Sequence, residues 1–329
     1  MYFLRNKEID RVKWDACIEN SCNGTLYAMS WYLDAVAEQW DALIVGDYET
    51  VFPITYIKRF GINILYTPDC IQQLGIFAQE QPSEELLIAF LNAIPKKFLF
   101  GKLQLNSKNI LSSDCGFHIK NRVNIEQDIQ LPIDILRKSY GRNITENLRK
   151  ARKNNIYIMP SKNFRNTIEL YRDNRGKERY YTGEKYYKSA YKLMETLAAK
   201  QLPVIHEAYN TEDKLIAGVI ATPFKNKIVL MQLGCTPEGY RTGATSLLVD
   251  SILERFAGTK EICDFEGSNT QSVAYFYAGF GGSIVPYPEV SIENIPKWII
   301  DALFRLKHKL NRSPQMAQIF ADNHIPRYQ

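Results

Sequence analysis

Ile228-Val-Leu-Met-Gln-Leu-Gly-Cys-Thr-Pro-Glu-Gly-Tyr-Arg-Thr-Gly-Ala-Thr-Ser-Leu-Leu248 decides how this chain is read. Residues 228–235 have the length and apolar character of a buried strand. Thr236-Pro237 stops it, a turn holding Gly239 and Gly243 follows, and residues 244–256 repeat apolar side chains at helical spacing. The first turn of such a helix leaves N–H groups without intrahelical partners, here those of Thr242, Gly243, Ala244 and Thr245. With small residues around them, those amides and the positive helix end suit a phosphate. Small residues equally suit plain packing at a helix start, and the segment by itself leaves both readings open.

Working outward, residues 204–210 and 215–223 read as strands before 227–235, the last two joined by a hairpin-like turn at 224–226. A strand at 261–265, a short helix near 271–277 and a strand at 283–288 follow. Upstream, a strand at 156–159 precedes helices at 164–174 and 184–200, with a polar, tyrosine-rich loop at 175–183 that includes Tyr180 and Tyr181. Meander, helix, strand, helix, strand is an α+β pattern with a mixed sheet. No Gly-x-Gly-x-x-Gly follows the first strand of either half, so a dinucleotide fold lacks its main support.

The first third mixes short elements. Residues 29–40 read as a helix, since Trp31, Leu33, Val36, Ala37 and Trp40 recur at helical spacing. Strands are expected at 42–45 and 50–58, an irregular polar segment at 66–75, a helix from Pro82 to Ile94, and strands at 98–105 and 117–130. Residues 132–154 form one or two helices broken at Gly141. The length of 329 residues, at about 150 per domain, gives two domains. The junction falls just before Arg137, giving domains 1–136 and 137–329.

The net charge of +5 is concentrated: from Arg137 to Lys153 there are seven Lys or Arg against one Glu. Anionic partners follow as an expectation, with a solvated helix face as the plain alternative. Arg149 and Lys153 share a face at i, i+4. The hydrophobic share of 45% and charged share of 23% are ordinary for a globular protein. Apolar stretches fall short of a membrane span, and charges near the start replace a signal peptide's apolar region, so a soluble, cytoplasmic protein is expected. Scattered cysteines and histidines give neither a metal site nor a disulfide framework. Trp298, Ile299, Leu303 and Leu306 suggest a packed C-terminal helix.

Asp264-Phe-Glu-Gly-Ser-Asn-Thr-Gln-Ser-Val-Ala-Tyr-Phe-Tyr-Ala-Gly-Phe-Gly-Gly282 carries the second candidate chemistry. Glu266, at the C-terminal end of a strand, suits a general base, and Tyr275 or Tyr277 a general acid. Their plain alternatives are an exposed turn carboxylate and amphipathic core tyrosines.

Taken together, the two segments resemble the GNAT acyltransferase superfamily. Tyr240-Arg241-Thr242-Gly243-Ala244 is similar to its phosphate turn, shortened, and Asn269, Ala274, Tyr275, Gly279 and Phe280 to its later tyrosine segment. The nearer resemblance is to the Fem-type peptidyltransferases and their tandem-GNAT relatives. It rests on Phe276-Tyr-Ala-Gly-Phe-Gly-Gly282, on the basic helix at 147–153, and on Phe52-Pro53, Tyr66-Thr-Pro68 and Gln73-Leu-Gly75, and it extends to about Val290. Tyr277 stands where those enzymes carry a lysine.

The resemblance implies two tandem GNAT-like domains and an N-acyltransferase. An acyl or aminoacyl group would pass from acyl-CoA, as co-substrate, or from aminoacyl-tRNA to an amine acceptor such as a cell-envelope precursor. It implies Glu266, Tyr277 and Tyr275 as catalytic residues. Leu233, Cys235, Arg241, Thr242, Gly243, Ala244 and Thr245 would hold the donor, and Gln73, Arg149, Lys153, Tyr180, Tyr181 and Ser268 the substrate. A noncatalytic GNAT-like binding protein is the alternative.

Overall fold

The computed structural model describes residues 1–59, 61–178, 183–267 and 269–296. They form two compact units. Among the described residues, unit 1 comprises 1–122, 183–193 and 287–296, and unit 2 comprises 123–178 and 194–286. Each unit is assembled from separated stretches of chain.

Unit 1 begins with β1 (Tyr2–Leu4), α1 (Arg11–Asn20) and α2 (Ser30–Val36), followed by β2 (Gln39–Val45), β3 (Thr50–Arg59), β4 (Ile62–Leu65) and β5 (Phe77–Ala78). Then come α3 (Glu84–Asn92), β6 (Phe98–Gln104) and β7 (His118–Asp128), which crosses into unit 2. The helix expected over 29–40 stops at Val36, and Trp40 belongs to β2. Its indole packs 5.1 Å from Trp14 and donates to Asp34 Oδ1 at 2.7 Å, so tertiary packing overrides the helical spacing. At α3, Ser83 Oγ accepts the Leu86 N–H, and Glu84 and Glu85 complement the positive helix end. Its Leu87, Phe90 and Leu91 bury against Phe52 and Phe98 in the unit's core.

The strands run in the order β1-β2-β3-β4-β6, with β5 beside β3. β4 and β6 are parallel and stay together: Leu65 is opposite Gly101, where a Cβ would lie 2.1 Å from the Leu65 carbonyl oxygen. With φ +153° there as well, only glycine fits. Beyond that point the chain fills the space between the strands itself. Thr67 Oγ1 accepts the Gln104 N–H at 3.1 Å, and Leu74 donates to the Gln104 carbonyl at 2.9 Å.

Unit 2 continues with α4 (Ile133–Leu136), α5 (Arg142–Lys153), β8 (Tyr157–Ser161), α6 (Phe164–Asp173), α7 (Arg175–Glu178) and α8 (Glu184–Ala199), the first half of α8 falling in unit 1. β9 (Val204–Tyr209), β10 (Leu215–Phe224) and β11 (Lys227–Cys235) form the meander. α9 (Pro237–Thr242), α10 (Ala244–Phe256), β12 (Ile262–Asp264), α11 (Gln271–Ala278) and β13 (Ser283–Glu293) complete the described chain. The strand order is β7-β12-β11-β10-β9-β8, with β11 and β12 parallel and the other pairs antiparallel.

A buried core of Val219, Leu230, Leu248, Ile252, Cys263 and Phe265 joins α10 to one face of this sheet, and α6 packs on β10 and β11. This is an α+β fold with mixed sheets. The expected C-terminal helix with Trp298, Ile299, Leu303 and Leu306 lies outside the described residues.

Candidate functional site

In unit 2 the parallel strands come apart. β12 pairs with β11 for three residues, Ile262, Cys263 and Asp264 against Lys227, Ile228 and Val229, and then ends. β11 continues to Cys235 with no β12 residue beside it. Leu230 lies opposite Ala221 but Gln232 lies opposite Ile220, so Met231 is an extra, bulged residue. Met231, Gln232 and Leu233 are half-buried between buried Leu230 and Gly234, which marks this stretch as the accessible part of the strand.

The chain turns sharply as it leaves β12. Glu266 adopts a left-handed backbone, φ 48°, which costs a non-glycine residue about 1–2 kcal/mol. Two side chains hold the turn. Asp264 Oδ1 accepts the Glu266 N–H at 2.9 Å, and Asn124 Oδ1 accepts the Gly267 N–H at 2.8 Å. Asn124 Nδ2 also donates to Asp264 Oδ1 at 3.0 Å.

Glu266 is half-buried, and its charge acts on Tyr277. Tyr277 is buried and stacks on Phe265 with centroids 5.1 Å apart and planes 12° from parallel. Burial, followed by Glu266, pushes its phenol well above the ordinary range, so it remains protonated at neutral pH; Arg175 opposes the shift. Tyr275, two residues earlier on α11 and 68% exposed, faces away.

Behind Glu266 sits a group of charges that the sequence did not single out. Asp264 and Glu126 face each other across β12 and β7, and Lys227 Nζ lies 2.8 Å from Glu126. Burial, and then Glu126, raise the Asp264 carboxyl to about 6 against the opposing pull of Lys227. A signal was present: Asn124, Glu126 and Asp128 alternate along the end of β7 with Val123 and Ile125, which places the three polar side chains on one face.

The expected phosphate turn is a short helix, α9. Pro237 at its start and the Thr236 side chain, which accepts the Gly239 N–H, favour helix where the glycines suggested turn. Gly243 ends it with φ +83°, and a Cβ there would lie 2.3 Å from the Asn147 carbonyl oxygen of α5. Asn147 Nδ2 donates to Ser246 Oγ at 3.3 Å. The start of α10 therefore packs against α5, with Gly243, Ala244 and Thr245 buried.

Of the other donor-site expectations, Arg241 is exposed and Thr242 Oγ1 donates to the Glu238 carbonyl. Leu233 is half-buried on β11. Cys235 is buried, its thiol pushed up to about 12 by desolvation.

Among the expected substrate residues, Gln73 is buried in unit 1, donating to Gln72 Oε1 and accepting the Ser107 N–H. Arg149 and Lys153 are exposed one turn apart on α5, opposite its buried Ile144, Leu148 and Ala151, and neither closes an ion pair among the described residues. Tyr180, Tyr181 and Ser268 lie outside the described residues. Among the described residues no group of three or more His, Cys, Asp or Glu is placed to hold a metal, and no helix is long and apolar enough to cross a membrane.

No family model matches the sequence, and no curated protein matches it. Solved structures do match over most of the chain. FemX aligns at 12% identity over 92% of this chain and 99% of FemX, with a TM-score of 0.63. The C-terminal domain of a putative lysylphosphatidylglycerol synthetase from Agrobacterium fabrum aligns at 10% identity over 91% and 96%, with a TM-score of 0.55. A tandem GNAT protein from the clavulanic acid biosynthesis pathway aligns at 10% identity over 90% and 99%, with a TM-score of 0.51. The chain thus has the Fem-like tandem GNAT fold, and at these identities the likeness concerns the fold.

Proposed function

We propose that this protein is an N-acyltransferase that moves an aminoacyl group from an ester on the end of an RNA to an amine, such as one on a cell-envelope precursor. The observation that carries the choice of donor is the contact of Gly243 with the Asn147 carbonyl. A coenzyme A pyrophosphate would need room at the start of α10, where Gly243, Ala244 and Thr245 are buried and Gly243 packs against α5. The exposed cations Arg149, Lys150, Arg152 and Lys153 on α5 offer RNA phosphates a basic ridge instead.

The chemistry falls to the open fork between β11 and β12. Glu266 takes the proton from the attacking amine, whose nitrogen bonds to the ester carbon. Backbone N–H groups of β11 beside the Met231 bulge hold the oxyanion of the tetrahedral intermediate, a task for fixed dipoles. Collapse breaks the carbon–oxygen bond, and Tyr277, protonated at neutral pH, gives its proton to the departing ribose oxygen. Tyr275 has no part in this scheme, since it is exposed on the far side of α11.

The test sets two donors side by side. Thermal-shift titration with acetyl-CoA, a long-chain acyl-CoA and free CoA is expected to leave the melting temperature unchanged, while filter binding retains aminoacyl-tRNA in a salt-sensitive manner. A shift of several degrees with any CoA species, without retention of RNA, would replace the donor by a thioester. Binding of neither would favour a noncatalytic role.

A further inference from the structure

At the end of β12 two side chains, Asp264 and Asn124, hold the backbone of Glu266 and Gly267. Asp264 is 5% exposed and accepts the Glu266 N–H. Asn124, fully buried, bonds both to Asp264 and to the Gly267 N–H, so one strand-borne amide ties the two sides of the turn. Glu266 in that turn holds a left-handed conformation that a glutamate in an unrestrained chain rarely visits. Released from these bonds, the residue would relax toward the extended or right-handed regions, and its side chain would swing away from Tyr277.

We propose that Asp264 and Asn124 are positioning residues that hold Glu266 in its left-handed conformation, so that its carboxylate stays at the mouth of the fork beside Tyr277. The use of Glu266 as a base rests on the acyl-transfer reading above; the positioning of Glu266 does not. What the turn requires at 264 is a hydrogen-bond acceptor, and a negative charge is incidental to it. Glu126 and Asn124 of β7, Lys227 of β11, Cys263 on β12 and Glu266 itself are the groups that act on Asp264. Of the two charges beside it, Lys227 favours the ionised carboxylate and Glu126 opposes it, while the acceptor oxygen serves the amide.

Asp264→Ala and Asp264→Asn separate the two roles, because asparagine keeps the acceptor and loses the charge. Amide hydrogen exchange, read by NMR on the whole chain, is expected to speed up at Glu266 by about tenfold or more in Asp264→Ala, the loss of one buried hydrogen bond. Ile125 and Phe265 should stay within about twofold of the parent, showing that the sheet is intact. Asp264→Asn should keep the slow exchange at Glu266.

In a transfer assay with aminoacyl-tRNA and an amine acceptor, Asp264→Ala should lose about 100-fold in kcat with KM unchanged, the scale of a misplaced general base. Asp264→Asn should recover most of it. Unchanged exchange at Glu266 in Asp264→Ala, or equal losses in the alanine and asparagine variants, overturns the proposal. Glu266→Gln tests the other layer: if it transfers at the parent rate, the base assignment fails while the exchange result stands. Should Asp264→Ala fail to fold, Asn124→Ala, which removes the hold on Gly267, takes its place, with exchange at Gly267 as the readout.

Discussion

Each unit contains a parallel strand pair, and the two pairs end differently. In unit 1, β4 and β6 are locked at Leu65 and Gly101, and the space beyond them is closed by Thr67 and Leu74 of the same chain. In unit 2, β11 and β12 separate after Val229 and Asp264, and the bulged Met231 and half-buried Gln232 line the opening. One architecture therefore serves twice, once as a filled scaffold and once as a fork with a glutamate at its mouth.

The closed pair gives the largest expected effect. Gly101→Val places a branched side chain against the Leu65 carbonyl at a backbone angle that valine avoids, and should destabilise by about 3 kcal/mol or more. Urea unfolding followed by tryptophan fluorescence measures it; a loss below about 1 kcal/mol would mean that β4 and β6 part as easily as β11 and β12 do.

Next comes a pH effect confined to the open pair. The folded Asp264 carboxyl, near 6, binds its proton more tightly than the same group in the unfolded chain, near 3.9. Its contribution to stability is therefore full below about pH 4 and is lost as the pH rises through 6. Compared with Asp264→Asn, the parent should lose about 2 kcal/mol between pH 4 and pH 7. Parallel urea midpoints for the two proteins across that range would instead show that Lys227 fully balances the charge.

Smaller still, Thr67→Val removes the acceptor that closes the first pair, leaves the Gln104 N–H unsatisfied, and should cost about 1 kcal/mol. The smallest change is expected to be a gain. Glu266→Gly relieves the left-handed strain at the fork and, after the added freedom of the unfolded chain, should stabilise by about 0.5 kcal/mol. Thermal melts of both variants give the comparison, and a loss of stability in Glu266→Gly would mean that the glutamate side chain contributes more than its backbone costs.

Much of the fold was legible. The meander of β9, β10 and β11 and the helix after it follow from apolar runs, short polar turns and period, which are local signals. The helix break at Gly141 was equally readable, since Gly141 stands as the N-cap of α5. What failed was governed by distant partners. Trp40 carried a helical period yet joined β2, because its indole is held between Asp34 and Trp14. Gly243, whose small neighbours left phosphate binding and plain packing both open, meets the Asn147 carbonyl nearly a hundred positions away, a contact that no local spacing announces.

The candidate site divides along the same line. Glu266 and Tyr277 belong to one segment, a strand end and the helix after it, so their nearness could be read along the chain. Asn124 and Glu126 reach the site through strand pairing with β12, and no spacing within the Asp264 segment announces them. Tyr275 and Tyr277 looked interchangeable on paper; the turn of α11 exposes one and buries the other.

The bulge at Met231 has a consequence for length rather than composition. Ile228 and Leu230 face the core, and so do Leu233 and Cys235, a parity that one surplus residue makes possible. Deleting Met231 would restore strict alternation without turning any of those four outward, a rare case of a strand interior able to lose a residue and keep its faces. β11 is thus one residue longer than its ladder requires. That surplus, invisible to any series of substitutions, would show itself in a library of single-residue deletions as a strand that keeps its fold and loses its fork.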